Sequence, residues 1–411
     1  MVKVNEEFLK LLASYLFVEV AERVKAYKAS DPEAQVISLG IGDVTLPLPH
    51  AVLKAMHGAV DEMGEPQTFR GYGPERGYEF LRRTIVDNDF ASRCIEIGVD
   101  EVFVNDGAKS DTGNFQELLG SDVRIAVTDP IYPVYVDSNA MSGRAGSLAE
   151  DGHWSKVCYM PCTAENGFVP ALPNAPVDVI YLCYPNNPTG TTISRSELKK
   201  WVDYAREHGA LILYDAAYEA YIRHEDVPHS IYEIDGAREV AVEFHSFSKT
   251  AGFTGIRCGY TVVPRNLTVR TSTGQLVSLN ALWTRRQSTK FNGTSYISQR
   301  AAEAVYSEEG RREVKAMTDY YMHNAEQMRD SLGSAGLTIF GGEDAPYLWV
   351  KTPDGLSSWE FFDLLLKEAQ VVCTPGVGFG PAGEGYVRLT AFGEHGATNE
   401  ALKRIKTIIG K

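Results

Sequence analysis

The sequence predicts an α/β fold, with a large domain built on a mostly parallel sheet and a smaller α+β domain after it. Three observations carry this expectation. Short apolar runs alternate with amphipathic stretches through the middle of the chain, polar residues follow each run, and the pattern changes after about residue 295. At 411 residues the chain is also too long for one simple core.

Taken in order, residues 102–104, 123–127, 179–183, 211–214 and 240–244 read as buried strands. Each stops at a marked residue, such as Asp129-Pro130 after the second and Asp215 after the fourth. Residues 194–208 read as a helix opened by a Ser cap, with Glu197 three residues on. Strands alternating with helices imply a parallel sheet covered on both faces, with chemistry beyond the carboxyl ends of the strands. Residues 298–306 and 311–332 then read as long helices, 347–351, 371–374 and 386–390 as strands, and 357–368 and 399–409 as helices. The expected division is 49–295 for the large domain, with 1–48 and 296–411 forming the small one.

Composition removes several function classes. The chain is 44% hydrophobic and 23% charged, ordinary values for a globular protein. Its formal charge of -14, with no long basic run, argues against nucleic acid and anionic membranes as partners. The six cysteines form no C-x-x-C pair and the nine histidines no zinc spacing, so no metal is expected. No basic stretch leads into a long apolar run at the N-terminus, so the expected location is the cytoplasm. Asn292-Gly293-Thr294 fits the glycosylation pattern only by chance in that setting.

The strongest local signal is the stretch from Ser246 through Ser248, Lys249 and Arg257 to Gly259. A lysine after a strand is in isolation most often a solvated end residue. Here two hydroxyls and an arginine suit a phosphate, and the glycines let backbone approach it. A lysine beside a phosphate can form a Schiff base with an aldehyde cofactor. Asp215, with Tyr218 three residues on, is either a helix cap or a partner for a pyridinium nitrogen. Tyr184-Pro185-Asn186-Asn187-Pro188-Thr189-Gly190 is a tight turn from which Asn187 could reach a ring oxygen.

The ordered set of these three motifs resembles the fold-type-I aminotransferases, which depend on pyridoxal 5'-phosphate. That resemblance implies a large domain with a seven-stranded type of sheet. It implies that Lys249 bonds the cofactor and shuttles the proton, that Asp215 pairs with the pyridinium, and that Asn187 and Tyr218 hold the ring oxygen. Ser246, Ser248 and Arg257 would bind the phosphate, and Ala108 and Lys109, after the strand at 102–104, would complete its cup. Tyr132 would stack on the ring, although simple core packing explains it as well. Arg388, inside an apolar strand, is costly there unless paired, and its fork suits a substrate α-carboxylate. The run Gly376-Val377-Gly378-Phe379-Gly380 lacks the third glycine and the helix of a dinucleotide site.

Further stretches narrow the resemblance to the LL-diaminopimelate aminotransferases. They include Ser14-Tyr15-Leu16-Phe17, Leu39–Asp43, Arg70–Glu75, Phe291-Asn292-Gly293 and Gly341–Tyr347. That family moves an amino group between glutamate and tetrahydrodipicolinate, giving 2-oxoglutarate and LL-diaminopimelate, a step toward lysine. By position, Tyr15, Gly42, Glu75, Lys109, Tyr132, Asn187, Asn292 and Arg388 should touch substrate. The family works as a homodimer with shared sites, in which Tyr15, Tyr72, Glu75 and Asn292 cross the interface. Tyr72 and Asn292 would then help to hold the neighbour's cofactor. Other readings are an aspartate, aromatic or alanine-like aminotransferase, and a non-catalytic pyridoxal-phosphate-binding regulator. A nicotinamide oxidoreductase lacks its glycine motif.

Overall fold

The computed structural model describes residues 1–11 and 16–409. The large sheet has seven strands: β1 Val102–Asn105, β2 Ile125–Asp129, β3 Val157–Pro161, β4 Val179–Cys183, β5 Leu211–Asp215, β6 Ala241–Ser246 and β7 Gly259–Val262. Their spatial order is β1-β7-β6-β5-β4-β2-β3. Strands β2 to β6 run parallel, while β7 lies antiparallel between β1 and β6. The sequence reading missed β3 and β7: β3 is half-exposed at the sheet edge, and β7 follows the glycine-rich loop without a helix before it.

The buried strands are apolar on both faces because helices cover both sides. All five residues of β4 are buried, for example. The helix Arg195–His208 shows how a cover forms. Ser194 Oγ accepts the Glu197 amide, and Gly209 at φ +68° ends the helix in the left-handed region. Leu198, Trp201, Val202 and Ala205 fall on one face and are buried. Each large side chain so buried contributes roughly 1.5–3 kcal/mol.

A second layer holds a four-stranded antiparallel sheet: β8 Ile339–Gly341, β9 Tyr347–Lys351, β10 Thr374–Pro375 and β11 Tyr386–Thr390, in the order β8-β9-β11-β10. Its core joins Leu348, Phe362, Val371, Leu389 and Leu402 to Val20 and Leu39 from the N-terminal part. The turn over Glu6–Lys10 packs against the helix Val134–Met141 of the large layer.

Several boundaries differ from expectation. The strand expected at 123–127 begins at Ile125 and runs to Asp129, because Arg124 turns outward to pair with Asp178. The strand expected at 371–374 breaks at Cys373. Val371–Val372 pairs in parallel with Ile37–Ser38, and Thr374–Pro375 joins β11. The helix expected over 357–368 is regular to Leu364 and ends in a π turn, Leu365–Ala369. The final helix starts earlier than expected, at His395. Among the described residues no helix is long and apolar enough to cross a membrane.

Candidate active site

The carboxyl ends of β4, β5 and β6 deliver Cys183, Asp215 and Ser246 to the floor of one cleft of about 320 Å³. The second layer closes it with Tyr347 and Arg388, and the crossing segment adds Ile41 and Gly42. The structure brings together there Gly42, Ala108, Lys109, Tyr132, Asn187, Asp215, Tyr218, Ser246, Ser248, Lys249, Arg257 and Arg388, all expected at the site. A larger cavity of about 610 Å³ beside Cys94 has no such convergence. Its arginines, Arg238 and Arg265, are engaged by Glu101 and Asp100.

Lys249 follows β6 by one short helical turn, Phe247–Thr250. Its Nζ donates to the Gly42 carbonyl. Burial pulls its pKa down to about 8; the nearby Asp43 resists this, while Arg388 and Arg257 reinforce it. The amine is therefore available as a nucleophile and base close to neutral pH. Its own carbonyl accepts the Tyr221 hydroxyl at 2.7 Å, which fixes the turn.

Asp215 ends β5. Its carboxylate accepts the Tyr135 hydroxyl and, at 3.0 Å, the Ala217 amide. Burial raises its proton affinity, while those hydrogen bonds and the charge of His245 lower it. Among the described residues Asp215 has no arginine or lysine partner, a costly state unless a ligand brings positive charge. Tyr135 was not anticipated from the sequence. It lies three residues past Tyr132 on a helix whose apolar face hides it.

At one end of the cleft Arg257 Nη1 donates to Ser248 Oγ at 3.3 Å, and the Ser248 amide donates to Ser246 Oγ at 3.1 Å. Gly107 stands here at φ +127°, and a Cβ on it would lie 2.2 Å from Arg257 Nη2. Backbone and guanidinium thus approach as closely as they can, leaving a cluster of donors suited to a phosphate. At the other end Arg388, 1% exposed, donates to Asn187 Oδ1 at 2.7 Å and to the Gly40 carbonyl at 2.9 Å. Its guanidinium lies over Tyr347 and Phe379, 4.7 and 4.8 Å from the ring centroids. Asn187 Nδ2 donates to the Tyr218 hydroxyl at 3.3 Å, and that hydroxyl meets the Tyr347 hydroxyl at 2.8 Å. Burial raises the pKa of both tyrosines, so they remain phenols able to donate.

Tyr72, Glu75 and Asn292 do not line this cleft. All three are exposed, Tyr72 at 92%. They share one surface region, since Gly293 abuts the Pro74 carbonyl. Tyr15 lies outside the described residues. The run Gly376–Phe379 is a single 3₁₀ turn that presents Phe379 to Arg388.

Comparison with known proteins gives a consistent family. Residues 34–405 match the family model for aminotransferase class I and II. An LL-diaminopimelate aminotransferase of Bacteroides fragilis is 63% identical over 407 residues, 99% of each chain. One from Methanosphaera stadtmanae is 57% identical, again over 99% of each. Among solved structures, L,L-diaminopimelate aminotransferase from Chlamydomonas reinhardtii superposes with a TM-score of 0.93 at 43% identity. That match covers 100% of this chain and 99% of the other. A Thermus thermophilus aspartate aminotransferase mutant, at 20% identity and a TM-score of 0.84 over 99% of this chain and all of the other, shares the fold.

Proposed function

The chain belongs to the class I and II aminotransferases, and from that premise we propose that it moves an amino group between LL-diaminopimelate and 2-oxoglutarate with pyridoxal 5'-phosphate as cofactor. The observation that carries the reading is Lys249, an amine of lowered pKa that lines one cleft with the buried Arg388 and the Asp215 carboxylate. Full-length likeness to relatives named for that substrate supports the choice of amino acid. A role in lysine supply and a place in the cytoplasm are part of the same proposal.

The residues fit the cofactor. Among the described residues Asp215 has no arginine or lysine partner, and a protonated ring nitrogen would supply positive charge. The Arg257, Ser246 and Ser248 donors lie where Gly107 leaves room for nothing but backbone, and a phosphate would satisfy them. Bound there, pyridoxal phosphate supplies an aldehyde for the lysine and a ring that withdraws electrons.

The chain's own residues do the rest. Asp215 holds the proton at the ring nitrogen. Asn187 and Tyr218 fix the ring oxygen, Tyr132 covers the ring face, and Ala108 and Lys109 add to the phosphate cup. Arg388 grips the substrate α-carboxylate as a planar fork. Lys249 Nζ would hold and move the substrate's α-proton. Gly42 lets the backbone lie against the Tyr347 hydroxyl, since a Cβ there would fall 2.6 Å from it. In the proposed homodimer Tyr72, Glu75 and Asn292 of each chain face the cleft of the other. Glu75 suits the distal ammonium of diaminopimelate, and Lys109 and Asn292 its distal carboxylate.

The test is steady-state amino transfer to 2-oxoglutarate from LL-diaminopimelate, meso-diaminopimelate, lysine, aspartate and phenylalanine. LL-diaminopimelate should lead. Lysine, which lacks the distal carboxylate, should trail by about 10⁴-fold in kcat/KM, because buried polar partners would be left unpaired. Faster transfer from aspartate or phenylalanine would overturn the substrate and leave the aminotransferase standing.

A further inference from the structure

Behind the cleft, on the opposite face of the sheet from Asp215, lies a second group of ionisable side chains that the reading above leaves unused. Its centre is His245 on β6, 5% exposed. Asp215 on β5 stands opposite Phe244, so the next residue, His245, points through to the other face. Its ring stacks on Tyr260, with centroids 4.4 Å apart and planes 11° from parallel. Its Nε2 lies 3.4 Å from the Glu243 carboxylate but makes no well-directed hydrogen bond.

The ring borders a cavity of about 50 Å³ whose walls include Asp89 and Glu219. Asp89 accepts the hydroxyls of Tyr260 and Tyr306, each at 2.6 Å. Glu219 pairs with His229 at 3.0 Å and, more distantly, with Arg93 at 3.9 Å. Glu243 accepts Ser230 Oγ and the Ile231 amide. Three carboxylates from three elements therefore surround one buried imidazole.

Two effects compete at the ring. Burial favours the neutral form, while Glu243, Glu219 and Asp89 favour the charged one, and the balance lies above the ordinary histidine pKa. The same field reaches Asp215. Neighbouring strands are about 4.8 Å apart, and a packed interior screens charge poorly. With a neutral ring, Asp215 would lose a charge that favours its ionised form, and its proton would be harder to remove.

We propose that His245 is a positioning residue, a buried imidazolium that acts through the sheet to keep the Asp215 carboxylate charged toward the cofactor's ring nitrogen. The inference rests on the cofactor reading above. It assigns this cluster an electrostatic task, where a space-filling histidine would have none.

The test is equilibrium binding at pH 6.5, the ordinary histidine value, of pyridoxal phosphate and of its 1-deaza analogue, which carries CH in place of the ring nitrogen. His245→Gln should bind pyridoxal phosphate about tenfold more weakly, the equivalent of one pKa unit. It should bind the deaza analogue as the wild type does. In an Asp215→Asn background the same change should have no further effect on either ligand. Equal losses for both ligands, or no loss for either, would overturn the proposal. A wild type that binds no pyridoxal phosphate overturns the cofactor reading itself, and that is seen before any variant is made. Should the variant not fold, ¹⁵N spectra of histidine-labelled wild-type apoprotein decide the matter at pH 6.5. A doubly protonated ring protected from solvent supports the proposal, and protected rings that are all neutral overturn it.

Discussion

Lys249 combines the two features a covalent amine needs, a fixed position and a lowered pKa. Replacing it with alanine should leave the protein folded and able to hold pyridoxal phosphate through Ser246, Ser248 and Arg257. Turnover should fall by several orders of magnitude, since nucleophile and base are lost together. The wild-type apoprotein offers a pH check. The neutral amine is the reactive form, so capture of pyridoxal phosphate should speed up with pH and level off above about 8. An ordinary lysine would keep accelerating toward 10.5, and that result would contradict the buried setting. Asp215→Asn keeps the shape and can still accept the Ala217 amide, while it removes the charge and puts a donor in place of the oxygen that faces the Tyr135 hydroxyl, which that hydroxyl can accept. Its kcat should drop on the order of a hundredfold or more with a smaller change in KM, because the charge matters most in the transition state. A change confined to KM would make Asp215 a ligand-positioning group. At this scale the sequence was most legible where chemistry needs a rare residue type. Lys249 and Arg388 are conspicuous beside apolar strands, whereas Tyr135 and His245 look like ordinary core aromatics until neighbouring strands place them.

Between the layers runs the segment from Leu39 to Leu48, which brings Gly42 to Lys249. Its carbonyls accept from Arg388, Thr374, Thr390 and Lys249. Further on, the Thr45 and Leu46 amides both donate to the Tyr321 hydroxyl, at 2.9 and 2.8 Å. Tyr321 is fully buried, so Tyr321→Phe strands two amides and should cost about 1–3 kcal/mol in urea unfolding. KM should rise as the segment loosens. Unchanged stability would mean that the segment draws its order elsewhere. Elements of this kind escape a sequence reading because their hydrogen bonds go to side chains hundreds of residues away. Strand β4, by contrast, was bounded correctly because a run buried on both faces is apolar throughout. The break at Cys373 was invisible for the opposite reason. Both halves are apolar, and the Cys373 carbonyl lies against Gly40 where the chain passes from one sheet to the other.

For the whole molecule the question is what Tyr72, Glu75 and Asn292 face. They gather on one exposed region, with Phe69 60% exposed nearby, and a proposed second copy gives all of them a partner. Hybrid dimers test this. A Lys249→Ala chain and a chain carrying Tyr72→Phe with Asn292→Ala should each be nearly inactive alone. Mixed after unfolding and refolding, they should regain activity, because one site in each hybrid is intact. Verified hybrids with no recovery would place these residues outside the partner's site.

The sequence by itself determined the alternation of strands and helices, the phosphate-type donors around Lys249 and the family, because each depends on local periodicity or on short ordered motifs. Only the tertiary structure decided that β7 runs antiparallel, that Arg388 meets Asn187, and that a histidine stands behind Asp215. Those facts depend on which strands become neighbours. Burial, charge and hydrogen bonds then act between residues that the chain order keeps far apart.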